Sequence, residues 1–121
     1  MNWTGLFILA AIFAVFFLFA RPVKLSIKDA RAYLKNGAKL IDVRTAGEFI
    51  AGHLPIAVNL PVSEIETSVT RRVKSKDQVI LLYCQSGARS SAARARLLAM
   101  GYVNAFNLGS YARAERIVRG K

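Results

Sequence analysis

Four short apolar runs punctuate the chain: Leu40–Val43, Ala57–Leu60, Val79–Tyr83 and Asn104–Leu108. Each has the length of a strand, and apolar residues run through it continuously rather than alternating with polar ones. That pattern predicts strands covered on both faces, as in a parallel sheet. Helix punctuation fills the gaps. Ser26 with Asp29 forms a capping pair, and the helix it opens should stop at Asn36-Gly37. Thr45 with Glu48 repeats the pattern, with Gly52 as the stop. Ser63 with Glu66 opens a third helix, and Ser90 opens a fourth that runs to Met100-Gly101. Strand and helix signals alternate, which predicts an α/β fold with a central, mostly parallel sheet flanked by helices. There is no internal repeat, low-complexity tract or second linker.

The pattern changes completely at the head of the chain. From Trp3 to Ala20 no residue is charged and only Thr4 is polar, and eleven of these residues are Leu, Ile, Phe or Val. At about 1.5 Å per residue a helix over this segment spans roughly 27 Å, close to the hydrocarbon thickness of a bilayer. On an insertion scale those eleven contribute roughly −3 to −7 kcal/mol. One transmembrane helix is therefore expected to precede the α/β domain, with residues 1–21 as the anchor and 22–121 as the domain. Arg21 and Pro22 are expected to stop the helix. The alternative, export after cleavage of a secretory signal, fits less well: no basic side chain precedes Trp3, and Leu18 sits where a small residue is wanted. Arg21, Lys24, Lys28, Arg31 and Lys35 crowd the following flank. The positive-inside rule then expects a single pass in the inner or cytoplasmic membrane, with the domain facing the cytoplasm.

Charge and cysteine content narrow the partners. Lys and Arg number 18 against 7 Asp and Glu, a net charge of +11 carried wholly by residues 21–121. Arg71, Arg72, Lys74 and Lys76 cluster, and Arg113, Arg116 and Arg119 recur every third residue, as one face of a helix would. Anionic lipid headgroups are the nearest polyanion for a tethered domain. Nucleic acid is not expected, because no aromatic residues interleave with the basic clusters. A solvated basic surface with no partner is the other reading. One Cys and one His exclude an internal disulfide and a structural zinc site, and an unpaired Cys suits a reducing compartment.

That single cysteine stands where chemistry is expected. Cys84-Gln85-Ser86-Gly87-Ala88-Arg89 follows the Val79–Tyr83 strand and precedes a helix, at the carboxyl edge of the sheet where ligands bind in open α/β folds. Main-chain N–H groups of such a turn make an anion-binding nest, and Gly87 permits the backbone angles it needs. A thiol at the floor of that cradle is favoured as thiolate, and Arg89 is placed to close the ring around an anionic substrate.

The chain resembles the rhodanese-like (sulfurtransferase) domain family. The matching motifs are Leu40-Ile41-Asp42-Val43-Arg44, Glu48-Phe49, Gly52-His53-Leu54-Pro55, Ala57-Val58-Asn59, and Tyr83-Cys84 through Gly87-Ala88-Arg89-Ser90. They extend over roughly residues 25–110. The resemblance implies that Cys84 is the nucleophile, carrying sulfane sulfur as a persulfide from a donor such as thiosulfate to a thiol or cyanide acceptor. It implies that the backbone of Gln85, Ser86, Gly87, Ala88 and Arg89 stabilises the persulfide anion, and that Arg89 holds the loop or the donor. Asp42 and Arg44 would brace the site. No metal or organic cofactor is implied. Glu48 reads first as a cap or ion-pair partner, and His53 as structural. Two departures stand out: Gly109-Ser110-Tyr111 replaces the paired glycines and Trp common in the family, and Ile56 stands where Gly is frequent.

A Cys-and-Arg loop also serves Cys-dependent phosphatases, but those resemble C-x5-R, whereas Arg89 lies five positions after Cys84, giving the tighter C-x4-R. Thiol–disulfide exchange lacks a resolving Cys. The competing function from another class is a membrane-tethered binding or scaffold module with weak or no transfer activity. A relay of sulfur to a protein partner lies between the two.

Overall fold

The computed structural model describes residues 2–20 and 25–120. Strands β1 (Lys39–Asp42), β2 (Val58–Asn59), β3 (Ile80–Tyr83) and β4 (Ala105–Gly109) form one sheet in the order β2-β1-β3-β4. All three pairings are parallel, with Leu40 opposite Leu81 and Asp42 opposite both Tyr83 and Asn59. The pleat sends alternate side chains to opposite faces. Ile41, Ile80, Leu82 and Ala105 pack with helices α4 (Ile65–Arg72) and α5 (Ala88–Ala99). Leu40, Leu81, Tyr83 and Leu108 pack with α2 (Ile27–Lys35) and α6 (Tyr111–Arg119). Every residue of β3 is fully buried, which is why its sequence reads as a continuous apolar run. At about 1.5–3 kcal/mol for each large side chain, these two layers dominate the stability of the domain.

Two of the caps lie where the spacing predicts. Ser26 Oγ accepts the Asp29 N–H at 3.0 Å, and α2 ends at Asn36 before Gly37 (φ +93°). Thr45 and Glu48 form a complete capping box on α3 (Ala46–Ala51), which ends at Gly52.

The other two helix starts are displaced. Ser63 lies inside a 3-10 turn, Val62–Glu64, and α4 begins only at Ile65 with no side-chain cap. Burial of Ile65 and Val69, one turn apart, sets the register of α4 and overrides the Ser63–Glu66 signal. Ser90 opens nothing, because α5 starts at Ala88 with Gly87 as its N-cap. Ser90 is instead the third residue of the helix, and its hydroxyl donates to the Gly87 carbonyl at 3.1 Å.

The Arg113–Arg116–Arg119 stripe is not a uniform solvated face. Arg113 turns inward and donates to the carbonyls of Leu108 (2.8 Å) and Leu25 (2.6 Å), while Arg119 pairs with Glu115. Leu108 lies in β4 and Leu25 before α2, so the Arg113 guanidinium satisfies main-chain carbonyls from two separate segments.

The head forms a helix, α1 (Trp3–Ala20), and its large apolar side chains from Trp3 to Val15 are exposed. Among the described residues, however, no helix is long and apolar enough to cross a membrane. The expected transmembrane helix is therefore corrected to an apolar helix, α1. The expected stop at Arg21-Pro22, the flanking Lys24 and the boundary at residue 21 fall outside the described residues.

Candidate active site

Strand β3 delivers Cys84 to the carboxyl edge of the sheet, on the face covered by α4 and α5. The residue is fully buried. Its Sγ accepts the Gly87 N–H at 3.0 Å, and the Ser90 hydroxyl lies 3.4 Å away. Burial alone pushes the Cys84 thiol up. The Ser90 hydroxyl and the N–H groups of Ser90, Gly87 and Ser86 act against it, and together they bring the thiol below its ordinary range. The start of α5 adds positive potential on the same side.

The loop holds this shape through its neighbour, the β4–α6 turn. The Cys84 N–H donates to the Gly109 carbonyl (3.3 Å), Ser86 and Ser110 form an antiparallel bridge, and the Tyr111 N–H donates to the Gln85 carbonyl (3.2 Å). Asn107 Nδ2 donates to the Gly87 carbonyl at 3.1 Å. Gly87 adopts φ +97°, and a Cβ there would meet Gly109 Cα at 3.2 Å, so both conformation and close approach require glycine.

Around this cradle lie two bidentate ion pairs. Arg89 donates to both carboxylate oxygens of Glu48, at 2.6 and 3.0 Å. That guanidinium, helped by the Thr45 N–H, holds the Glu48 carboxyl down to about 2, and Glu48 in turn raises Arg89. Arg89 thus ties α5 to α3 rather than closing over the loop. Asp42 and Arg44, both buried, form the second pair at 2.7 Å. Arg44 also donates to the Gly52 carbonyl (2.6 Å), and its guanidinium lies 4.9 Å from the centre of the Tyr111 ring. The hydrogen bonds that Arg44 donates to the Asp42 carboxylate raise its pKa in spite of its burial.

A cavity of about 300 Å³ opens beside the loop, lined by Arg44, Glu48, Ala51, Gly52, Gln85 and Tyr111. A larger one, about 710 Å³, runs along β2 and is lined by Phe49, Ser68, Arg71 and Arg72; no residue of the Cys84 loop borders it. The smaller cavity is bordered by Gln85, the residue after Cys84, and so gives the approach to the loop. His53 lies outside its wall, stacked on Phe49 at 3.7 Å. Among the described residues no cluster of three or more His, Cys, Asp or Glu is placed to hold a metal ion.

The sequence-expected residues therefore fall into two groups. Cys84, Ser86 and Gly87 bear directly on the sulfur; Gln85 lines the approach, Ala88 opens α5, and Arg89, Asp42 and Arg44 hold the frame. Sequence reasoning missed Ser90, Tyr111, Asn59 and Asn107. Ser90 stood in the motif but read as a helix start. Tyr111 stood at the departure from the common family pattern, a signal that pointed to it. Asn59 stood in the Ala57-Val58-Asn59 motif with no role assigned; its Nδ2 donates to the carbonyls of Asp42 (3.0 Å) and Arg44 (2.9 Å).

The comparisons with known proteins converge on one group. The family model described as "Rhodanese-like domain" matches residues 26–113. A human thiosulfate:glutathione sulfurtransferase is 33% identical over 100 residues, spanning 71% of this chain and 87% of its own length. Thiosulfate sulfurtransferase 18 of Arabidopsis thaliana is also 33% identical over 100 residues, spanning 72% and 73% respectively. Among solved structures, a human single-domain sulfurtransferase superimposes with a TM-score of 0.64 at 30% identity, covering 75% of this chain and 93% of that one. A rhodanese from E. coli with bound anions gives 0.62 at 28%, covering 64% and 91%.

Proposed function

The chain belongs to the rhodanese-like domain family, and from that premise we propose that it is a sulfurtransferase carrying sulfane sulfur on Cys84. The observation that carries this reading is the sulfur's setting: a buried Sγ facing the Gly87 N–H and the Ser90 hydroxyl, with its thiol lowered. Such a thiolate attacks the outer sulfur of a donor such as thiosulfate. The Cys84–sulfur bond forms, the donor's S–S bond breaks, and sulfite leaves with the electron pair. A thiol or cyanide then attacks the outer sulfur of the persulfide and regenerates the thiolate. The main-chain donors of the loop that stabilise the thiolate also stabilise the persulfide anion.

Intact mass of the full chain tests this before and after thiosulfate. The wild type is expected to gain one sulfur, about 32 Da, and Cys84→Ser none while remaining folded. Transfer activity surviving in Cys84→Ser would sink the assignment.

The apolar helix α1 supports a second, separate proposal: residues 3–20 hold the chain at the inner or cytoplasmic membrane with the domain on the cytoplasmic side. Trp3, Phe7 and Phe13 are each at least 70% exposed, a cost in water that lipid contact removes. Arg71 and Arg72 are exposed on the same chain and suit contact with anionic headgroups. Association of the full chain with a membrane pellet, lost when residues 3–20 are deleted, is the expected result. Equal pelleting of the full chain and the deletion variant would refute it.

A further inference from the structure

Most guanidinium groups of this chain are already engaged. Among the described residues Arg31, Arg94 and Arg113 donate to main-chain carbonyls, while Arg44, Arg89, Arg96 and Arg119 pair with carboxylates. Arg71 and Arg72, side by side in the last turn of α4, have no such partner among the described residues. Lys39, which opens β1, joins them: all three line one cavity of about 300 Å³ at the amino-terminal edge of the sheet. The two arginines also line the cavity of about 710 Å³ along β2, and the two cavities share Val58 and Leu60. Together they make one groove around the open edge of β2, the outer strand of the sheet. No carboxylate lines either part.

Cations in the last turn of a helix complement its dipole. That accounts for the two arginines, but not for Lys39 arriving at the same cavity from a different element. Three cations without a counter-charge repel one another, and an anion between them removes the repulsion. A monoanion leaves two of the charges unmatched, and guanidinium forks match phosphate oxygens two at a time. The floor is apolar: Ile41, Leu60 and Val73 are core residues at most 6% exposed, and Val58 packs against the same core. Such a floor favours an uncharged body behind the anionic head. Cys84 lies four residues beyond Ile80, the partner of Lys39 in the sheet, which is about 13 Å along the strand. The groove is therefore a site apart from the sulfur chemistry.

We propose that this groove binds a phosphomonoester with an apolar body. Arg71, Arg72 and Lys39 hold its dianionic head, and the body lies on Val58, Leu60 and Val73. A soluble organic phosphate and a lipid of the phosphatidic acid type share that chemistry. The proposal is independent of the role of Cys84.

Calorimetric titration of the full chain in dodecyl maltoside micelles tests it, with hexyl phosphate, hexyl sulfate and inorganic phosphate as probes. Hexyl phosphate should bind with a Kd below about 1 mM and about tenfold more tightly than either control. The sulfate carries only one charge, and inorganic phosphate has no apolar body. Arg71→Gln combined with Arg72→Gln should weaken binding about tenfold, and Lys39→Gln about threefold, with the urea midpoint unchanged in both variants. Equal affinity in wild type and both variants overturns the proposal. So does hexyl sulfate binding as tightly as hexyl phosphate, or no saturable binding below about 10 mM. Dioctanoyl phosphatidic acid added to the micelles separates the sources. Competition with hexyl phosphate identifies a lipid; tight hexyl phosphate binding without competition identifies a soluble ester, and both results uphold the phosphomonoester class.

Discussion

Around Cys84 a few groups decide whether the sulfur is a thiol or a thiolate, and Ser90 is the side chain among them. Its hydroxyl lies 3.4 Å from Sγ inside a fully buried environment, where a hydrogen bond to a charged acceptor contributes about 1.5–3 kcal/mol. Only the deprotonated sulfur reacts, so activity rises with pH through the Cys84 pKa. Ser90→Ala removes a group that lowers that pKa, so the profile should move to higher pH and activity at neutral pH should fall about tenfold. The pH dependence of Cys84 alkylation by iodoacetamide checks this; an unmoved profile would show that the main-chain donors suffice. The sequence placed Ser90 in the motif but assigned it to helix capping, because a Ser at a helix start is the commoner local pattern. Its contact with Cys84 exists only once α5 begins at Ala88 and carries the hydroxyl back over the loop.

At the scale of elements, local signals were legible wherever the local chain was free to obey them. The capping box of α3 and the cap of α2 use side chains three residues apart, so no distant contact is needed to form them. Helix α4 disobeyed because burying Ile65 and Val69 outweighs one cap, which is worth about 1 kcal/mol. The turn between α3 and β2 holds a residue that no local rule favours: Ile56, at φ +64° and 70% exposed. A β-branched side chain in the left-handed region costs about 1–2 kcal/mol, and exposure returns little of it. Ile56→Gly should therefore stabilise the domain by about 0.5–1 kcal/mol, after allowing for the extra freedom of glycine in the unfolded chain. A higher urea midpoint with an unchanged slope is the expected outcome, and a lower midpoint would mean that Ile56 makes contacts worth more than its strain.

At the scale of the whole molecule, the Asp42–Arg44 pair joins parts that are distant in sequence. Asp42 ends β1, Arg44 reaches the Gly52 carbonyl and the Tyr111 ring, and Asn59 of β2 binds the carbonyls of both residues. Asp42→Ala leaves a buried guanidinium without its carboxylate and should cost about 3–5 kcal/mol in thermal or urea unfolding. Replacing both residues by Leu and Met should recover most of that stability without restoring the wall of the site. Equal stability of wild type and Asp42→Ala would disprove the bracing role. The sequence by itself determined the α/β class, the parallel sheet, two of the helix starts and the place of Cys84 on a strand-to-helix turn, since these follow from periodicity and from residues adjacent in the chain. Tertiary structure alone decided that Arg89 is held by Glu48, that Ser90 and Tyr111 border the site, and that Asn59 secures the end of β1. Each of these is a contact across 6 to 67 residues of chain, and such a pairing is set by packing geometry, which no local spacing encodes.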